Sequence, residues 1–260
     1  MLALIVGNGA LPRAVAAAQD VPPLVCALAG HAPDGLTPDI TFRVEHLGSL
    51  LRRLKRAGVT RICLCGKVDR PDISLKRLDW RTALMLPRML KALKLGDDGA
   101  LRIVIALFEA GGFAVEAAHE AAPDLLPPAG VLTAAPLSDS AEADARAGDA
   151  AIAAMGRADL GQACLVRHGA VLATETETGT DALIVGQGQA GAVLYKAPKP
   201  DQDRRADLPT IGPDTARNAV AAGLSGLVIE AGGVMVLDLP VVQDILDAAG
   251  LFLWVRERPV

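Results

Sequence analysis

The sequence predicts an α/β protein of two domains, the first a Rossmann-like parallel sheet, the second a mixed sheet with helices. Three observations carry this. Residues 1–116 alternate short apolar runs with amphipathic stretches at helical spacing, the β-α-β rhythm of a parallel sheet covered by helices. A composition shift follows, with Pro123, Pro127, Pro128, Gly130 and Pro136 ahead of the polar run SDSAEADARAGD. Beyond it, strand-like runs are separated by hairpin turns as well as helices, which implies mixed rather than purely parallel pairing. The expected division is a first domain over 1–125, a linker over 126–137 and a second domain over 138–260.

In the first half, Leu2 to Val6 reads as a strand, followed by a Gly turn and a helix from Leu11 to about Gln19. Leu24 to Leu28 and Thr41 to Val44 are further strands. Leu47, Leu50, Leu51 and Leu54 recur at helical spacing, and Gly58 is a suitable stop for that helix. Arg61 to Cys65 is a strand closed by Gly66, then helical patterns cover about 82–95 and 97–110, and Phe113 to Glu116 is a strand. In the second half a helix is expected from Ser138, as candidate N-cap with the start open by a turn either side, to Gly156. Ala163 to Arg167 and Ala170 to Thr174 flank His168-Gly169, a two-residue hairpin turn. Val193 to Lys196 is a strand and Asp214 to Ala222 a helix. Gly226 to Ile229 is expected to pair as a hairpin with Val234 to Leu237, and Pro240 to Ala249 and Leu251 to Val255 close the chain as helix and strand.

Composition narrows the function. The 260 residues are 51% apolar but only 3% aromatic, so the core must be built from Ala, Leu and Val through many small contacts. A net charge of −4 offers no global attraction for nucleic acid or an anionic membrane. Cys26, Cys63, Cys65 and Cys164 fall in apolar runs without a C-x-x-C pair, which reads as buried free thiols in a reducing compartment. The start, MLALIVGNGALP, lacks a basic leader and reads as a first strand rather than a signal peptide. No apolar run reaches the ~18 residues of a membrane span.

Five segments carry polar chemistry. Gly7-Asn8-Gly9-Ala10-Leu11-Pro12 turns a parallel strand into a helix, where glycines and free helix N–H groups suit a phosphate or nucleotide, or is a structural turn alone. The third Gly of a dinucleotide fingerprint and the acidic residue that would hold a ribose are both missing, which argues against a nicotinamide-dinucleotide enzyme. Gly66-Lys67-Val68-Asp69-Arg70-Pro71-Asp72 follows a strand and offers Lys67 and Arg70 to a pyrophosphate, or is a solvated charged loop. Gly96-Asp97-Asp98-Gly99 can cap a helix or hold a divalent cation, and His119-Glu120 is a structural pair or a metal contact. The richest stretch joins Thr178-Gly179-Thr180-Asp181, Lys196-Ala197-Pro198-Lys199-Pro200 and Arg205-Ala206-Asp207-Leu208-Pro209-Thr210-Ile211-Gly212, which places catalytic groups on loops stiffened by proline or is a surface loop with ordinary charges.

Taken with IVGNGALP, CGKVDRPD, LKLGDDGALR, FAVEAAHE, the block GRADLGQACLVRHGAVLATETETGTDALI, YKAPKPDQDRRADLPTIG, AGLSGLVIEAGGVMVLD and GLFLWV, the chain resembles one family almost end to end. That family is the UDP-2,3-diacylglucosamine pyrophosphatases of the lipid A pathway, the type unrelated to the calcineurin-like metallophosphoesterases. The resemblance implies two α/β domains with a cleft between them that holds the lipid product, and Mg²⁺-dependent hydrolysis to 2,3-diacylglucosamine 1-phosphate (lipid X) and UMP, with water attacking the β-phosphorus. The family's critical aspartate maps to Asp207 in R-x-D-L-P-T-I-G. Lys67 stands where the family usually carries Asn, and Asn8 where a second Gly is common.

On this basis Asp207, Lys196 and Lys199 are the expected catalytic residues. Gly9, Ala10, Leu11, Lys67, Arg70, Thr180, Asp181 and Thr210 are expected to bind substrate, and Asp207, Asp97, Asp98 and Glu120 to hold Mg²⁺. The expected partners are a lipid-linked nucleotide sugar and the inner membrane, touched peripherally from the cytoplasm, with a homodimer left open and nucleic acid not expected. The rival readings are a nucleotide-sugar or nicotinamide-linked enzyme and a non-catalytic regulatory protein that binds nucleotide or lipid.

Overall fold

The computed structural model describes residues 1–68, 74–92, 97–158, 160–200, 203–205 and 208–258, with backbone only at 75, 88, 92, 97 and 98. Arg70 and Asp207 therefore lie outside the described residues. The described residues divide into two compact units, one formed by 1–123 with 203–205, the other by 124–200 and 208–258.

The first unit runs β1 (Leu2–Val6), α1 (Leu11–Ala17), β2 (Leu24–Leu28), β3 (Ile40–Phe42), α2 (Leu47–Arg56), β4 (Arg61–Cys65), α3 (Trp80–Ala83), α4 (Leu86–Ala92), α5 (Asp97–Ala110), β5 (Ala114–Glu116) and α6 (Ala118–Ala121). Among the described residues its strands form one all-parallel sheet in the order β3-β2-β1-β4-β5. The chain moves outward from β1 through β2 to β3, then crosses back to lay β4 on the other side of β1. The loops after β1 and β4 therefore meet at the topological switch point, where open α/β sheets bind their ligands. Leu50, Leu51 and Leu54 of α2 pack with Ile62, Ile105, Phe108 and Phe113 in the core. The helical pattern expected over 82–95 is interrupted after Ala83, giving α3 and α4 as separate pieces.

The second unit contains β6 (Gly130–Val131), α7 (Ala141–Arg157), β7 (Ala163–Arg167), β8 (Ala170–Thr174), α8 (Thr180–Gln187), β9 (Val193–Lys196), β10 (Thr210–Ile211), α9 (Pro213–Ala221), β11 (Gly226–Glu230), β12 (Met235–Val236), α10 (Leu239–Ala249) and β13 (Phe252–Arg256). Among the described residues its main sheet has the order β6-β13-β11-β9-β7-β8, with β9, β11 and β13 parallel and β6, β7 and β8 antiparallel to their neighbours. Period-two alternation splits the core. Leu165, Leu194, Leu227, Ile229 and Leu253 face one cluster with α8, α9 and α10, and Cys164, Val193, Tyr195, Val228 and Phe252 face another with α7.

Several expectations need correction here. Met235–Val236 does not return on β11; it runs parallel to Thr210–Ile211. The reason is that β11 is already flanked by β9 and β13, which leaves it no free edge. Within 126–137, expected as linker, Gly130 and Val131 pair with Val255 and Trp254, so this stretch is an edge strand of the sheet. Ser138 does not cap α7. Ser140 occupies the N-cap position, its hydroxyl donates to Asp144 at 2.7 Å, and Ser138 Oγ is buried without a partner. The His168-Gly169 hairpin is observed, both residues having positive φ, and the Gly169 N–H donates to Asp144 at 2.6 Å.

Candidate active site

In the first unit, backbone hydrogen bonds tie the loops at the switch point together. The Gly7 N–H donates to the Cys65 carbonyl at 2.9 Å, and Asn8 and Lys67 exchange N–H···O bonds of 2.8 and 2.9 Å. Gly7 is required because any Cβ there would overlap the Lys67 carbonyl. Asn8 adds the loop after β2. Its side-chain oxygen accepts the Ala32 N–H at 2.9 Å, while the Gly9 carbonyl accepts the Asp34 N–H at 3.1 Å. Gly9 takes φ +96°, which turns the chain into α1 at Leu11. Gly9, Ala10 and Leu11 are thus half-buried at the edge beside an exposed Lys67.

Glu120 Oε2 accepts the Ala117 N–H at 2.7 Å and so caps its own short helix. Asp97 and Asp98 open α5. His119, beside Glu120, has its Nδ1 buried without a hydrogen bond. Burial pushes its pKa down, Glu120 opposes this and Arg204 reinforces it, so the ring is neutral at pH 7. Among the described residues no group of three or more His, Cys, Asp or Glu side chains is placed to hold a metal ion. Arg205 grips Asp203 with a two-pronged fork, at 3.0 and 2.8 Å, and reaches Glu109 at 2.8 Å. This three-residue set anchors the chain two residues before Asp207.

The second unit carries a connected polar chain at the carboxyl end of β9. Lys196 is only 6% exposed. Its ammonium donates to Thr180 Oγ1 at 2.7 Å and to the Thr210 carbonyl at 2.9 Å. Because Lys196 uses Thr180 as acceptor, the Thr180 hydroxyl proton is directed onward to Glu175 Oε1 at 2.7 Å. The other Glu175 oxygen accepts the Gln162 N–H at 2.5 Å. Gly161 makes room for this carboxylate, since a Cβ there would stand 2.6 Å from Glu175 Oε2. Gly179, at φ +92°, turns the chain so that Thr180 opens α8. Of the expected residues, Lys196, Thr180 and Thr210 are in direct contact. Asp181 is exposed on the first turn of α8, and Lys199 is half-buried further along the proline loop.

A second polar group occupies the α7 face of the same sheet. The Tyr195 hydroxyl donates to Asp149, whose other oxygen takes the Arg256 guanidinium at 2.9 Å. Burial first, then the Asp149 carboxylate, holds the Tyr195 phenol well above its usual pKa, so it is a fixed donor. Glu230 is paired in register with Arg256 and accepts from Arg258 at 3.4 Å. An open cavity of about 510 Å³, lined in part by Gly130, Glu142, Trp254 and Arg256, lies on this face, opposite the Lys196 chain. Sequence reasoning missed Glu175, Glu230 and Arg256. The available signal for the last two was a charged residue closing an otherwise apolar parallel strand. Glu175 carried no such signal, because its partner Thr180 is reached only through the turn into α8.

Comparison with known proteins places the chain. Residues 1–125 match the LpxI N-terminal domain and residues 128–254 the LpxI C-terminal domain. The chain is similar to the UDP-2,3-diacylglucosamine pyrophosphatase LpxI of Caulobacter vibrioides, with 36% identity over 277 aligned residues that cover 99% of each chain. With both halves of the fold matched and a relative aligned over its full length, the chain belongs to the LpxI family.

Proposed function

We propose that the chain hydrolyses the pyrophosphate of UDP-2,3-diacylglucosamine to 2,3-diacylglucosamine 1-phosphate and UMP, with water attacking the β-phosphorus. The observation that carries this is the full-length similarity to a relative bearing that activity in its name. The geometry supports it through Lys196, a buried cation held at a parallel-strand carboxyl end by Thr180 and the Thr210 carbonyl. Hydrolysis of a phosphoanhydride is mainly a matter of orienting water and stabilising charge on phosphoryl oxygens, and a fixed, desolvated ammonium suits the second task. Lys199 adds charge on the adjoining loop. Asp207 is the residue that orients the water, and Gly9, Ala10, Leu11, Lys67 and Arg70 contribute donors and charge for the nucleotide side, with Thr210 and Asp181 flanking Lys196 and Thr180.

Mg²⁺ takes one or two carboxylates together with substrate phosphate oxygens, so a dense protein cluster is not required. Asp207 is the first candidate ligand, with Asp97 and Asp98 behind it. Glu120 is the weakest because its carboxylate already caps α6. When bound, the cation would neutralise charge on the phosphate oxygens. Among the described residues no helix is long and apolar enough to cross a membrane. The four free, buried cysteines fit a cytoplasmic setting.

The test is release of UMP from UDP-2,3-diacylglucosamine. Asp207→Ala is expected to abolish it, and excess chelator to stop it until Mg²⁺ is restored. Isotopic oxygen from water is expected in the sugar phosphate, and its appearance in UMP would refute attack at the β-phosphorus. No UMP from authentic substrate with Mg²⁺ would favour the reading as a regulatory protein that binds nucleotide or lipid.

A further inference from the structure

The first unit presents an apolar pair beside a group of arginines. Trp80 is 66% exposed and Leu84 78% exposed, four residues apart on and just after α3 and hence on one side of that turn. Their exposure is built in by the way α3 is held. Thr82, fully buried on the opposite side, accepts the Gly48 N–H of α2 at 2.8 Å. Asp79 caps α3 through the Thr82 N–H at 2.6 Å and also accepts the Ser49 N–H at 3.2 Å. Gly48 lets the two helices meet, since a Cβ there would come 2.5 Å from that of Arg81. With α3 pinned in this way, Trp80 and Leu84 cannot turn inward.

Arginines gather on this side of α2 and α3, while the neighbouring Asp79 carboxylate is turned to the Thr82 and Ser49 N–H groups. The Arg81 guanidinium lies 4.1 Å over the Trp80 ring. Arg52 and Arg56, one turn apart on the exposed side of α2, stand close enough to Arg81 that the Arg56 and Arg81 charges lower the Arg52 pKa. Like charges so grouped repel one another, although the chain as a whole carries a net charge of −4. An anionic counter-surface relieves that repulsion.

We propose that Trp80 and Leu84, together with Arg81 and the neighbouring Arg52 and Arg56 of α2, form the surface by which this protein docks on an anionic phospholipid membrane. Two apolar side chains are far too little area for a stable protein–protein interface, which buries on the order of 1,200 Å² or more. They suffice for an interfacial anchor when basic residues add attraction to anionic headgroups. Trp favours that interface because its ring is apolar and its N–H is wet. The surface would bring the enzyme to a diacylated substrate, but it does not depend on the catalytic assignment, and vesicle binding is read without substrate.

The experiment is flotation of the full chain with phosphatidylglycerol-containing vesicles and with phosphatidylcholine vesicles, alongside emission from Trp80 in a Trp254→Phe background. Binding is expected to the anionic vesicles only, to weaken with added salt, and to shift Trp80 emission to the blue. Arg52→Gln, Arg56→Gln and Arg81→Gln together should lower affinity roughly a hundredfold. Trp80→Ser with Leu84→Ser should abolish binding, while UMP release from detergent-dispersed substrate stays unchanged. Binding without a Trp80 shift would put the membrane surface elsewhere and overturn the proposal, as would equal binding to neutral vesicles or no binding at all.

Discussion

Thr180→Val tests whether the Lys196 chain is a working device or an incidental set of contacts. Valine matches threonine in shape and replaces the hydroxyl with a methyl group, so the perturbation is confined to two hydrogen bonds of 2.7 Å each, from Lys196 and to Glu175. A bond to a charged group contributes about 1.5–3 kcal/mol. Glu175 is only half-buried and can recover water, whereas the Lys196 ammonium is buried and keeps the Thr210 carbonyl. The loss therefore falls near the lower end of the two-bond sum, about 3 kcal/mol. At about 3 °C per kcal/mol for a domain of this size, the melting temperature should drop by about 10 °C. With the Thr180 hydroxyl gone from beside the ammonium, a displacement on the order of 1 Å would lower kcat about a hundredfold. Thr180→Ser keeps the hydroxyl and loses one methyl group, about 1 kcal/mol, and should retain most activity. Melting curves and UMP release on both variants decide the matter. If Val and Ser variants are equally stable and equally active, the hydrogen-bonded chain neither supports the fold nor places Lys196.

Gly148→Ala should destabilise the second unit by about 2 kcal/mol. The gain in helix propensity, about 1 kcal/mol, is outweighed because the new methyl falls inside the buried Tyr195 ring, which Asp149 holds in place; a melting temperature at or above wild type would contradict this. Burial alone would raise the Asp79 carboxyl, but hydrogen bonds from Ser49 and Thr82 reverse that and hold it below its ordinary value. Its stabilisation is therefore present above about pH 4 and lost as pH falls through the lowered value, so Asp79→Asn should melt lower than wild type at neutral pH with the gap closing in acid. The four cysteines are buried, and burial pushes the Cys26 and Cys164 thiols up to about 12. A disulfide reagent should label none of them in the native protein and all four after guanidinium unfolding.

Much of the fold is legible along the chain because strand and helix periodicities are local. Leu2–Val6, Leu24–Leu28, Val193–Lys196 and the His168-Gly169 turn are each specified by fewer than about ten residues, and the structure has them there. The α/β class with a parallel sheet and a mixed sheet follows from the order of such pieces. Pairing is a different kind of information. Whether Met235–Val236 pairs with its neighbour in sequence or with Thr210–Ile211 depends on which strands already fill both sides of β11, and no local pattern encodes that.

The candidate site divides along the same line. Residue types suited to phosphate, such as Lys196, Thr180 and the Gly7-Asn8-Gly9 turn, are visible as letters. What the tertiary structure alone decided is their connection: Thr180 reached by Lys196 across sixteen residues, Glu175 drawn in behind it, and Asn8 locked to Lys67 across fifty-nine. The reason is physical. A hydrogen bond needs its two atoms within about 3 Å, and only the return of α8 onto β9, and of the loop after β4 onto the loop after β1, supplies that closeness.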